Sequence, residues 1–123
     1  MNTPLLVSVV DDDESVRESL PDLLKEFGFA VQAFSSAKAF LSSVYVDQTH
    51  CLLLDVAMPQ MSGPDLQKEL TRLGYYIPVI FITAHGDASE RPRLMSHGAI
   101  DCLMKPFSEA QLLKALSAAL PIN

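Results

Sequence analysis

Apolar residues are distributed along this chain in two alternating rhythms. Short unbroken apolar runs recur, and between them apolar residues return every three or four positions. The runs fit strands buried on both faces of a parallel sheet, and the spaced residues fit helices lying on that sheet. Residues 5–10 (LLVSVV) predict a first strand. Val16, Leu20, Leu23, Leu24 and Phe27 then predict a helix that stops at Gly28. Pro21 falls inside this helix, off the apolar stripe, and leaves the Arg17 carbonyl without its usual donor. Residues 29–34 predict a weaker strand nearer a sheet edge. A second helix, capped by Ser35 or Ser36, carries Phe40, Leu41 and Val44.

The run at 51–55 (CLLLD), four apolar residues of which three are leucine, leads straight into a carboxylate, with Pro59 four residues on. Proline cannot continue a ladder, so this third strand ends between Asp55 and Pro59. Pro64 then sits at a tolerated first-turn position of a third helix, lined by Leu66, Leu70 and Leu73 and stopped by Gly74. Residues 78–83 form a fourth strand. Residues 88–97 make a poor helix, with Pro92 inside it and only Leu94 and Met95 as apolar content. Residues 99–104 form a fifth strand. Ser108 and Gln111 supply a capping box for a last helix, whose Leu112, Leu113, Leu116 and Leu120 are expected to face inward.

Five strands alternating with five helices predict an α/β fold, a doubly wound parallel sheet with helices on both faces. Right-handed crossovers bring the carboxyl ends of the strands to one edge, where open α/β sheets place their ligand sites. The strand ends are Asp11 and Asp12, Asp55, Thr83 and Lys105. Singly, each has a plain explanation: a helix N-terminus favours acids, and a strand-end hydroxyl or surface lysine is ordinary. Together they form a chemical set. Clustered carboxylates suit Mg²⁺. Asp55 can act as a nucleophile towards phosphorus, while Lys105 and the Thr83 hydroxyl can bind phosphoryl oxygens.

The chain has 123 residues, enough for one domain with a proper core. Its net charge of −6 argues against a direct grip on nucleic acid. Cys51 and Cys102 lack metal-like spacing and read as reduced core thiols. With no signal peptide and no run long enough to span a bilayer, the chain reads as cytoplasmic.

Four segments, VVDDDESVR at 9–17, LDVAMPQMSG at 54–63, FITAHGD at 81–87 and KPF at 105–107, occur in an order and spacing that resemble the receiver domain of bacterial two-component response regulators. The wording is most similar to the subgroup regulating nitrogen fixation and aromatic degradation, which carries a C-terminal helix-turn-helix domain. The resemblance covers residues 1–123 and implies a flavodoxin-like strand order of 2-1-3-4-5. It implies that Asp55 is the phospho-acceptor, with Mg²⁺ held by Asp11, Asp12, Asp55 and the backbone carbonyl of Ala57. It assigns Thr83 to a phosphoryl oxygen and Lys105 to an ion pair with Asp55 or its phosphoryl group. Ala57 and His85 fall where the family tunes loss of that group. Asp13 lies outside the acid pair and is free to cap the first helix. The turn back of Lys105 towards Asp55 predicts a cis Lys105–Pro106 bond.

The implied partners are a sensor histidine kinase and a C-terminal DNA-binding output domain or downstream partner, with room for dimerisation on phosphorylation. The expected function is a phosphorylation-dependent switch and not an enzyme turning over a separate substrate. The alternatives are a phosphatase with an aspartyl-phosphate intermediate on the same fold, or a degenerate receiver acting as an interaction module. Two features depart from the family pattern. Cys102 stands where an aromatic is usual, three residues before the lysine, and the fourth helix is polar. Both bear on output and leave the chemical residues intact.

Overall fold

The computed structural model describes residues 3–84 and 90–121. The strands are β1 (Leu6–Val10), β2 (Ala30–Phe34), β3 (Cys51–Asp55), β4 (Val79–Thr83) and β5 (Asp101–Met104). They pair in parallel in the order β2-β1-β3-β4-β5, as the resemblance implies. The helices are α1 (Glu14–Glu26), α2 (Ala37–Leu41), α3 (Gly63–Arg72), α4 (Glu90–Ser96) and α5 (Glu109–Ala119). A short 3₁₀ turn, Val46–Gln48, lies between α2 and β3 and was not foreseen.

β1 and β3 are buried at every position because both sheet faces are covered. On one face, Leu20 and Leu24 of α1 and Leu112, Ala115 and Leu116 of α5 pack on Val7, Val9, Leu53, Ile80 and Ile82. On the other, Phe40 of α2, Leu66 and Leu70 of α3 and Leu94 of α4 pack on Val10, Leu52, Leu54 and Phe81. A full side chain of this kind contributes ~1.5–3 kcal/mol on burial, so these two layers supply most of the favourable free energy. β2 lies at the edge and is only partly buried, which matches its weaker apolar character. Ser8, the buried polar residue within β1, bonds hydroxyl to hydroxyl with Thr49 at 2.7 Å.

Three apolar residues sit differently from expectation. Leu113 is 39% exposed, because Leu112, Ala115 and Leu116 define the buried stripe and Leu113 lies a hundred degrees away from Leu112. Leu73 is 48% exposed, since α3 ends at Arg72 and Leu73 serves as its C-cap. Val44 is 72% exposed and lies beyond the end of α2. Pro21 sits inside a continuous α1, half-buried. The capping box of α5 forms as read, with Ser108 accepting from the Gln111 N–H and Gln111 Oε1 accepting from the Ser108 N–H.

Candidate functional site

Strand register assembles the site. Val10 pairs with Leu54, so the next residues, Asp11 and Asp55, leave adjacent strands side by side. Asp55 pairs with Ile82, and Thr83 follows one step on. Thr83 pairs with Met104, and Lys105 follows. The Lys105 N–H donates to the Thr83 carbonyl at 2.8 Å, which fixes the lysine backbone against β4. The Lys105–Pro106 bond is cis, as expected from the turn.

One oxygen from each of Asp11, Asp12 and Asp55 lies within 4.8 Å of the others. Asp11 and Asp55 are buried and Asp12 is exposed. Three acids this close repel one another. Burial, the charge of Asp11 and a hydrogen bond shared with Asp12 push Asp55 up to about 7, with Lys105 opposing. Burial works against the Lys105 ammonium, but Asp11, Asp55 and Asp13 outweigh it and hold its pKa above the ordinary value. The lysine's ion pair is with Asp11, Nζ to Oδ2 at 3.0 Å, where Asp55 had been the expected partner. Asp11 Oδ2 is fully buried and accepts no well-formed hydrogen bond. A hard-oxygen set with a buried, under-satisfied carboxylate oxygen fits a divalent cation. Ala57, expected to lend its carbonyl, is exposed on the loop between β3 and α3. Thr83 is partly buried at its strand end. His85, also singled out in the sequence, lies outside the described residues.

The fourth carboxylate-bearing position of interest, Asp13, has a different task. Its Oδ1 accepts from the Ser15 N–H at 2.9 Å and the Ser15 hydroxyl at 2.7 Å, so it is the N-cap of α1. Those bonds hold its carboxyl below the usual range. Its own N–H donates to Asp11 Oδ1 at 2.9 Å. Sequence reasoning missed two arginines. Arg17 Nη1 donates to the Asp11 carbonyl at 2.9 Å. Arg91 of α4 donates to the Cys102 carbonyl and to Asp101 Oδ1, each at 2.7 Å. Residue type alone carries no signal for a bond to a backbone carbonyl.

Parallel order 2-1-3-4-5, with an acidic cluster and a lysine at the carboxyl edge, defines an α/β protein with its site at the strand ends. The chain belongs to the response regulator receiver domain family, whose model matches residues 7–117. It is 49% identical over 118 residues to Nodulation protein W of Bradyrhizobium diazoefficiens, covering 96% of this chain and 52% of that protein. It is 43% identical over 120 residues to Transcriptional regulatory protein FixJ of Azorhizobium caulinodans, covering 98% of this chain and 57% of that one. The structure of response regulator StyR superposes with a TM-score of 0.87 at 48% identity, covering 98% of this chain and 61% of that one. The chain thus spans about half the length of the curated relatives it matches. Among the described residues, no helix is long and apolar enough to cross a membrane.

Proposed function

We propose that residues 1–123 form one receiver domain in which Asp55 accepts a phosphoryl group from a phosphohistidine of a sensor kinase. The observation that carries this reading is the packing of Asp11, Asp12 and Asp55 beside Lys105 at the sheet edge. An Asp55 carboxylate oxygen attacks phosphorus as the phosphorus–nitrogen bond breaks. The imidazole leaves with the bonding pair; its second ring nitrogen stays protonated, so the ring departs as neutral imidazole. The product is an acyl phosphate on Asp55, later cleaved by water. Catalysis of this kind rests on positioning and charge stabilisation.

A divalent cation held by Asp11, Asp12, Asp55 and the Ala57 carbonyl supplies positive charge that offsets the carboxylates and the incoming phosphoryl oxygens. The protein's own residues do the rest. β3 presents Asp55 at a fixed depth, and Lys105 is close enough to exchange Asp11 for a phosphoryl oxygen. Thr83 takes another such oxygen through its hydroxyl. The acyl phosphate then biases the α4–β5 side of the domain and so an attached DNA-binding domain or a separate partner. The relatives named as transcriptional regulators support the first of these.

Labelling with acetyl phosphate, with and without Mg²⁺, followed by intact-mass measurement, tests the chemistry. One phosphoryl group should appear on the wild type only with Mg²⁺, and none on Asp55→Asn. Labelling that persists in Asp55→Asn would overturn the assignment.

A further inference from the structure

We infer that Arg17 is a positioning residue for the acidic site, holding the loop between β1 and α1 in the shape that keeps Asp11 and Asp12 near Asp55. The inference rests on the reading that these acids bind a divalent cation. Residues 11–14 are four consecutive acids, and left to themselves such charges would spread the loop into solvent. Backbone contacts prevent this. The Asp11 N–H donates to the Phe34 carbonyl of β2 at 3.1 Å, and the Asp13 N–H donates to Asp11 Oδ1 at 2.9 Å. Arg17 adds the cationic restraint. Its backbone N–H donates to the Asp13 carbonyl at 3.2 Å, while its guanidinium reaches back from α1 to the Asp11 carbonyl at 2.9 Å. The guanidinium therefore ties down the Asp11 end of the segment, while the Asp13 end is fixed by the first backbone bond of α1, which any residue at position 17 would make.

The choice of acceptor matters. A guanidinium paired with a carboxylate would take up oxygens that a cation needs. Placed on a backbone carbonyl, it brings fixed positive charge next to the acids and leaves their oxygens available. Lys105 is arranged in the opposite way, on Asp11 Oδ2 itself, so its hold is one a cation must displace. Arg17 can keep its bond whether or not the site is filled, and it serves as the permanent support. Arginine suits this task because its planar fork loses less freedom per bond than a lysine does.

Mg²⁺ alone is the probe, titrated calorimetrically into wild type, Arg17→Met, Arg17→Lys and Asp12→Asn. Methionine keeps the aliphatic stem and removes every donor. We expect Arg17→Met to bind Mg²⁺ about tenfold more weakly, in the range found when groups orienting metal ligands are removed. Arg17→Lys should recover part of this loss. Ser108→Ala removes the α5 cap, far along the chain from the acids, and controls for stability: it should lower the melting temperature with Mg²⁺ affinity unchanged. If wild type binds Mg²⁺ and Asp12→Asn does not, yet Arg17→Met binds like wild type, the role of Arg17 is overturned and the metal site stands. If wild type and Asp12→Asn bind alike, the metal site itself is wrong. Should Arg17→Met not fold, Arg17→Gln replaces it, since its shorter amide falls short of the carbonyl.

Discussion

Replacing Gly63 with alanine probes how closely α3 must approach the end of β3, where Asp55 sits. A methyl group there would stand 2.4 Å from the Asp55 carbonyl oxygen and 3.1 Å from both the Asp55 carbonyl carbon and Val56 Cα. Real Cβ atoms essentially never come within 3.0 Å of a neighbour, so something must shift. What it meets is backbone, not the end of a flexible side chain. The Val56 N–H donates to the Ile82 carbonyl, and the Gly63 N–H donates to the Val56 carbonyl, both at 2.9 Å. Either α3 withdraws and stretches the second bond, or the end of β3 moves and carries Asp55 with it.

Forced overpacking costs ~1–3 kcal/mol. Losing one backbone hydrogen bond adds ~1 kcal/mol, and the better helix propensity of alanine offsets at most ~1 kcal/mol. The sum is a loss of ~2 kcal/mol. With a urea dependence of ~1–3 kcal/mol per molar for a small domain, the unfolding midpoint should fall by about 1 M. Urea titration followed by far-UV circular dichroism measures this, and acetyl phosphate labelling well below the transition reports the displacement of Asp55. Gly74→Ala is the comparison. Gly74 has open space around it but a φ of +91°, so alanine there is strained by ~1 kcal/mol and should leave labelling intact. A Gly63→Ala protein with the wild-type midpoint and wild-type labelling would refute the close-packing argument.

The remaining predictions concern charge and caps. Asp55 is raised in the folded, cation-free protein to about 7 from 3.8, so between those values the folded state binds more protons than the unfolded one. Its contribution is therefore present at low pH and lost as pH rises through 7. In chelator at pH 8, Asp55→Asn should be more stable than wild type, with the gap closing near pH 4. The ceiling is ~4 kcal/mol, which solvent reaching the cleft trims to ~1–2 kcal/mol; an equal gap at both pH values in urea melts would refute this. Asp13→Ala should lower the melting temperature through loss of the α1 cap. Arg91→Ala should increase amide exchange in residues 90–96, because α4 has Leu94 as its one buried side chain and is otherwise tied to β5 by Arg91; unchanged exchange there would show that the tie is idle.

The fold was legible because burial on both sheet faces leaves apolar runs, unbroken up to the closing Asp55 in β3 and Thr83 in β4 and interrupted only by Ser8 in β1. The positions of Asp11, Asp55, Thr83 and Lys105 were legible for the same reason, since each marks where a run stops. Helix faces were read less well. An apolar stripe of i, i+3, i+4 spacing has soft margins, and Leu73 and Leu113 fell on the exposed side of them. The strand order came from the family resemblance, because alternation of strands and helices fits several doubly wound orders equally.

The partners of the charged groups were the least legible part, and the reason is physical. Arg17 and Arg91 both donate to main-chain carbonyls, which every residue possesses, so no sequence pattern distinguishes their acceptors. Lys105 is more instructive. The family resemblance implied Asp55 or its phosphoryl group as the partner, yet the ammonium sits on Asp11. Asp11 is fully buried, with its Oδ1 already taken by the Asp13 N–H. Its Oδ2 is the oxygen that gains most from a cation. The same imbalance orders the events proposed for the switch. Were a divalent cation held by Asp11, Asp12 and Asp55 as proposed, it would weaken the hold of Asp11 on Lys105, and the ammonium would then be able to pair with a phosphoryl group on Asp55.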